Sequence, residues 1–342
     1  MVPLTLLAMH GQGPTALATP GGHAFEMLFG FALALVAGYL LGPQPAPRLM
    51  TLFALWLLAR GAHLTAPETL YPVASNAAFA LLLAWHLVPK MLAAKKWRNQ
   101  AIAPLLGLLC AAAGSVGVAA FLGQSTIEHW LLRESVQLFA LLMLFMGGRV
   151  LGPAVAGEFD RQGLRQEARL QPGLEGALIL LVAAAFAISA LPFAIPVAGL
   201  LLVAAGIIAT VRLMRWRIWH CGTRPDLICL AAGYAWLALG LVLFGLAKLT
   251  GQYHSAALHV ITVGGLGTLA TGVMARVALQ KARRNPSATP EIVLIAALMA
   301  IATLARAGAG IGFAPVALLW TAAGGWSLGF LLLTRLLAAC RV

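Results

Sequence analysis

Apolar runs of about twenty residues recur along this chain from one end to the other, separated by short connections. An α-helix of that length crosses the hydrocarbon core of a bilayer, whereas strands of a membrane barrel alternate in polarity over about ten residues. About eleven runs are counted, at 24–42, 48–65, 70–90, 101–122, 127–151, 174–192, 194–213, 226–248, 254–279, 289–307 and 314–338. No connection between them is long enough to bury a core of its own. The expected fold class is all-α, a polytopic transmembrane helix bundle. Residues 1–23 form a periplasmic N-terminal segment and 24–342 a single helical membrane domain. Composition agrees: 61% of residues are hydrophobic and 10% charged, against roughly 25% charged in soluble domains.

The net charge of +13 would suit nucleic acid if it formed one patch. Instead the basic residues sit in alternate connections and read as topology signals, so no nucleic-acid partner is expected. The third connection carries Lys90, Lys95, Lys96 and Arg98, and the fifth Arg161, Arg165 and Arg169. The seventh carries Arg212, Arg215, Arg217 and Arg224, the ninth Lys281, Arg283 and Arg284, and the tail Arg341. The connections between are nearly bare of Lys and Arg, which puts the N-terminus outside and the C-terminus inside. No basic residue precedes the first apolar residues, so a cleaved secretory signal is not expected. Cys110, Cys221, Cys229 and Cys340 form neither CxxC nor CxxCH, which argues against a thioredoxin-like site and covalent c-type haem. GGLGT (264–268) and GAGIG (308–312) lack the strand-and-helix context of a phosphate loop.

The ninth run contains LHVITVGGLGTLATGVMARV (258–277), with Gly264, Gly267, Thr268, Thr271, Gly272 and Ala275 as a stripe that lets a neighbouring backbone approach. It also has His259 about one turn inside its outer end and Arg276 near the inner one. In this topology His10, His23, His63, His129, His254 and His259 lie toward the outer side, and His86 and His220 toward the cytoplasm. Imidazole is a haem axial ligand and binds copper well. His23 and Glu26 are three apart, as are Arg60 and His63, so each pair shares a helix face. An Arg beside a His suits a haem, the His reaching iron and the Arg a propionate. His129 and Arg133 repeat the pattern, with Glu128 and Glu134 alongside, and Arg306 near the outer end of the tenth run offers another carboxylate partner. An ordinary reading stands beside this one: histidines at helix ends are interfacial, Arg60 and Arg306 snorkel, Arg276 anchors the inner surface, and His10 belongs to a disordered tail. His259 lies too far inside its run for snorkelling to explain.

The ninth run, from its His through TVGGLGTLATGVMARVALQKARR, resembles the signature helix of the NnrS family. HAFEMLFGFALALVAGYLL (23–41), LWLLAR (55–60), RNQAIAPLL (98–106), GGRVLGP (147–153) and GYAWLALGL (233–241) are similar to family segments in the same order. The resemblance implies a polytopic bacterial inner-membrane protein that binds haem b and copper and is linked to nitric oxide response, nitrosative stress or denitrification. It implies redox partner proteins beside the lipid bilayer, with nitric oxide as ligand. The cofactor candidates are thus His23, His63, His129, His259, Arg60 and Arg306, with His23, His259, His63 and Glu26 as metal ligands, and of these the resemblance carries over His23 and His259 above all. There are departures. Phe25 stands where the family pattern has its second His, Ala231 where a His often precedes GYAW, and a Phe-His pair is missing around Phe121. The first connection, GPQPAPR (42–48), is short, and the family usually has twelve spans, so the chain resembles a shortened member. A cofactor-free transporter or channel, and a structural or assembly subunit of a membrane redox complex, remain open alternatives. No acid–base constellation identifies an enzymatic reaction.

Overall fold

A computed structural model describes residues 2–165, 171–252 and 254–340, and every regular element in it is a helix. Arg169, Arg341 and the side chain of Arg98, counted above as basic topology residues, lie outside the described residues. The helices are α1 (Val2–Met9), α2 (Pro20–Leu41), α3 (Ala46–Thr65), α4 (Leu70–Leu92), α5 (Ile102–Phe121) and α6 (Ser125–Arg161). There follow α7 (Pro172–Ile188), α8 (Pro192–Arg215), α9 (Pro225–Thr250), α10 (His254–Lys281), α11 (Pro290–Gly310) and α12 (Pro315–Ala339). Among the described residues nine of these are long and apolar enough to cross a membrane, and the chain is a polytopic helical membrane protein. The other two that match expected runs are α3, whose hydropathy is lowered by Arg48, Arg60 and His63, and α7, which is shorter.

Local sequence sets the ends of these helices. Thr19 caps α2 by accepting the Gly22 N–H, and Pro20 occupies the first turn, where a missing N–H costs nothing. Pro172, Pro225, Pro290 and Pro315 start α7, α9, α11 and α12 in the same way. Helix α9 stops at Gly251, whose φ of 73° lies in the left-handed region.

Three features differ from the sequence expectation. The N-terminal segment is not a disordered tail. Its uncharged, Leu-rich stretch forms α1 and a 3₁₀ turn at Thr15–Leu17, and Leu6 and Leu17 are buried. Helix α6 has 37 residues, about 55 Å at 1.5 Å per residue, well beyond a hydrocarbon core of about 30 Å. Two helices also contain π-wound stretches, Glu26–Ala32 in α2 and Val260–Gly267 in α10.

The chain divides into two compact units, Met1–Phe139 and Ala140–Val342. In the first, α4 packs against α3 and α5, around buried Leu83, Leu87, Leu106 and Leu109. In the second, α8 lies against α7 and α9, while α10 is packed by α9, α11 and α12. Small residues set the closeness of these contacts. A Cβ on Gly199 of α8 would lie 2.7 Å from the Gly245 carbonyl of α9, and one on Gly245 would lie 2.5 Å from the Gly199 carbonyl. The glycine stripe of α10 behaves likewise: Gly264 abuts Trp236 and Thr303, and Gly267 abuts Trp326 and Met299. In hydrocarbon such close packing replaces the hydrophobic drive that water would supply.

Gly245→Leu should therefore force α8 and α9 apart and lower stability by about 1–3 kcal/mol. Gly38→Leu, where a Cβ meets nothing within 4 Å, serves as the control. Thermal unfolding in detergent reads the difference, and equal midpoints for the two variants would exclude the tight glycine contact as a source of stability.

Candidate functional site

A buried polar centre lies in the first unit where α2, α3, α4 and α5 meet. Glu26 opens the π-wound stretch of α2 and is 1% exposed, and Arg60, one turn before the end of α3, is 4% exposed. Arg60 donates Nη1 to Glu26 Oε1 at 2.7 Å and Nη2 to Asn76 Oδ1 of α4 at 2.8 Å. Asn76 passes the chain on, donating Nδ2 to the Ala113 carbonyl of α5 at 3.1 Å. Gly30 makes room for the pair, because a Cβ there would collide with Arg60 Nη1 and lie 2.8 Å from Glu26 Oε2. The carbonyl of Gly30, in the widened stretch, accepts from Trp56 Nε1 of α3 at 2.7 Å.

His63 completes this centre. The three-residue spacing puts it on the Arg60 face, and its Nε2 stands 3.9 Å from Glu26 Oε1. Phe25 covers the imidazole with ring centroids 5.1 Å apart and also lies beneath the Arg60 guanidinium. Glu26 Oε2, Arg60 Nε and His63 Nε2 are buried with no hydrogen-bond partner among the described residues. Such atoms cost roughly 1–3 kcal/mol each when left alone, so this centre has capacity for a further polar partner.

The other expected residues occupy simpler surroundings. His23, at the start of α2, has its Nδ1 3.0 Å from Thr5 Oγ1 of α1. His129 is exposed and bonds the Ser125 carbonyl through Nδ1, while Arg133 Nε donates to the His129 carbonyl. In the second unit His259 directly precedes the π-wound stretch of α10 and bonds the Ser255 carbonyl through Nδ1 at 2.7 Å. Arg306 of α11 donates Nη2 to the Ser255 hydroxyl at 3.3 Å. The two helices approach closely here, since a Cβ on Gly310 would lie 2.9 Å from Ala256 Cβ. Arg306 is half-buried and forms no ion pair among the described residues.

The structure thus brings Glu26, Arg60 and His63 together, and separately His259 with Arg306 through Ser255. It shows no group of three or more His, Cys, Asp or Glu placed to hold a metal ion among the described residues. Arg60 is committed to Glu26 and Asn76 and does not face outward for a propionate. His259 and Arg306 fit a haem better, as an imidazole whose Nδ1 is engaged by a carbonyl, beside a cation that meets no carboxylate among the described residues.

Sequence reasoning missed two further clusters in the second unit. Arg212, counted as a loop charge, is 2% exposed on the last turn of α8. It donates Nη1 to the Leu144 carbonyl at 3.2 Å and to Tyr234 Oη at 3.3 Å, and Nη2 to Glu175 Oε2 at 3.5 Å. Gly147 abuts the Tyr234 ring and a Cβ on Gly148 would collide with the Arg212 guanidinium. The GGRV and GYAW segments therefore meet around one buried arginine. Arg276 pairs with Asp226, which also takes Nε and Nη2 of Arg224 at 2.9 Å, and Arg224 Nη1 reaches Glu158 Oε2 at 3.0 Å. Glu158 pairs with Arg161 as well. The available signal was five carboxylates, Glu26, Glu134, Glu158, Glu175 and Asp226, in or beside apolar runs, each demanding a cation.

Within this second unit the turn between α8 and α9 encloses Cys221, which is fully buried. Burial, followed by the nearby Glu158 and Asp226 carboxylates, pushes its thiol up to about 11. At pH 7 Cys221 should resist iodoacetamide in the folded protein while the partly exposed Cys340 reacts, as peptide mass mapping would show. Arg60→Leu should cost about 3–5 kcal/mol by stranding the Glu26 charge. The double variant Glu26→Leu with Arg60→Leu should recover most of that loss in thermal unfolding. A double variant no more stable than Arg60→Leu alone would mean the stranded charge is not the cause.

No match is found among curated proteins or among solved structures. The family described as NnrS protein matches residues 1–340, which is nearly the whole chain. The sequence motifs noted at the outset fall on the two π-wound helices, on α3, at the entry to α5 and on the buried Arg212 cluster, and the match spans all of them. The chain belongs to the NnrS family.

Proposed function

We propose that this membrane protein binds haem b and serves the response to nitric oxide, in nitrosative stress or denitrification, in the bacterial inner membrane. The observation that carries this reading is the pairing of His259 with Arg306 through Ser255. The Ser255 carbonyl can only accept, so it holds the proton of a neutral His259 on Nδ1 and makes Nε2 the ligand nitrogen. Arg306, which meets no carboxylate among the described residues, supplies the partner for a propionate. Haem iron with an open position binds nitric oxide, and redox partner proteins would supply electrons.

His23 and His129 are further ligand candidates from the first unit. Glu26 and His63 are the candidates for copper, because their buried Oε2 and Nε2 have donor capacity to spend. The positive Arg60 beside them opposes a second cation, which makes copper the weaker part of the proposal. The topology implied by the basic connections, with eleven spans, the N-terminus outside and the C-terminus inside, would put His23, His63, His129, His259 and Arg306 all toward the periplasmic side.

The test is pyridine-haemochrome and metal analysis of the purified protein after haem-replete expression, beside His259→Ala and His23→Ala. The expected wild type is pigmented, with a Soret band that moves on adding nitric oxide, and both variants lose pigment at unchanged expression. A colourless wild type without copper would end the proposal.

A further inference from the structure

We infer that Thr5, on the N-terminal helix α1, positions the His23 imidazole for its ligand; this rests on the proposal that His23 is a cofactor ligand. Four other histidines share one arrangement. His10, His86, His129 and His259 each bring Nδ1 to 2.7 Å from the carbonyl four residues earlier in the chain. A carbonyl oxygen only accepts, so each neutral ring keeps its proton on Nδ1.

His23 departs from this arrangement. It lies in the first turn of α2, where its backbone N–H is bonded to the Thr19 carbonyl at 3.1 Å, as in an ordinary helical turn, but its ring does not share that carbonyl. Its ring turns instead to the Thr5 hydroxyl, 3.0 Å from Nδ1. A hydroxyl both donates and accepts. When Nδ1–H donates to Thr5, Nε2 carries the lone pair, as in His259. When Thr5 donates to Nδ1, the ring proton sits on Nε2. Thr5 therefore holds the ring in place while leaving its tautomer to be chosen by whatever meets Nε2, and no carbonyl could do that.

The N-terminal segment is built to deliver this hydroxyl. Thr5 is 7% exposed, and Leu6 beside it on α1 and Leu17 of the following turn are buried too. A Cβ on Gly22 would overlap the Ala16 carbonyl, and one on Gly21 would overlap Glu128 Oε1 of α6. The start of α2 is thus packed closely against the N-terminal turn and against α6, which fixes the backbone that carries His23. Partners of this kind, which orient a metal-binding imidazole through its other nitrogen, are typically worth about 10–100-fold in affinity.

The experiment titrates haem b into the apo form of the full-length protein in detergent, for wild type, His23→Ala, Thr5→Val and Thr5→Ser. It is joined to ¹⁵N-histidine NMR of the same proteins without haem. Thr5→Val, nearly the same size, should weaken haem retention about 10–100-fold and move the His23 ring-nitrogen signals, while Thr5→Ser stays near wild type. If His23→Ala loses haem but Thr5→Val retains it with unchanged ring signals, the positioning role is overturned and the ligand assignment stands. If His23→Ala retains haem as wild type does, the ligand assignment falls and the positioning role with it. Loss of haem in Thr5→Ser equal to that in Thr5→Val would also overturn it, since the serine hydroxyl preserves the hydrogen bond.

Discussion

A guanidinium withdrawn from water has to be answered by an anion of the same chain, because hydrocarbon offers neither counterion nor hydrogen bond. This chain has 23 Lys and Arg but only 10 Asp and Glu, so its few buried carboxylates are shared. Asp226 serves Arg224 and Arg276, and Glu158 serves Arg224 and Arg161. Glu175 answers Arg212 and Glu26 answers Arg60, and in both cases a second polar group, Tyr234 or Asn76, takes up further guanidinium hydrogens. Helix packing follows from these pairings: Gly30 and Gly148 are small where they are because a guanidinium lies against them.

The same economy bears on the π-wound stretches. A π turn has poorer geometry than an α turn and persists where something else compensates, often at functional sites. In α2 the compensation is visible, since the Gly30 carbonyl accepts from Trp56 and the stretch opens with the Glu26–Arg60 pair. In α10 the stretch is lined with glycines that let Trp236, Leu237 and Trp326 press against the backbone. Each begins within three residues of a histidine singled out by the family resemblance, His23 or His259. Widened helices on lipid-embedded segments aim nearby side chains in directions an α-helix of the same sequence would not.

What the sequence made legible was whatever depends on periodicity and local chemistry. The apolar runs, the proline starts and the tight glycine stripe of α10 all follow from residue type at fixed spacing. Arg60 and His63 sharing one face follows from it too. Partners distant in sequence were not legible: Glu26 meets Arg60 across 34 residues, and Arg224 meets Glu158 across 66. Arg212 was misread because a basic residue at a run's end usually reports topology, and only the fold shows Glu175 opposite it. Asn76, a lone amide in an apolar run, was a signal of a buried hydrogen bond that composition-level reading passed over. The folded N-terminal segment was hidden for a different reason, since eight residues of weak periodicity give no sign of the surface they will pack on.

The two units differ in how far their charges are satisfied, and this bears on where an acidic ligand would be received. In the first, Arg60 already has its charge answered by Glu26 and its Nη2 engaged by Asn76, so a ligand carboxylate would be a second anion beside Glu26. In the second, Arg306 has a single hydroxyl contact and no anion among the described residues. A carboxylate arriving there gains a charge-assisted bond and displaces nothing of comparable strength. The imidazole best placed beside such a ligand is His259, whose Nδ1 is already engaged by Ser255. The unpaired polar atoms at Glu26 and His63, hemmed by Phe25, would instead suit a small species rather than a macrocycle.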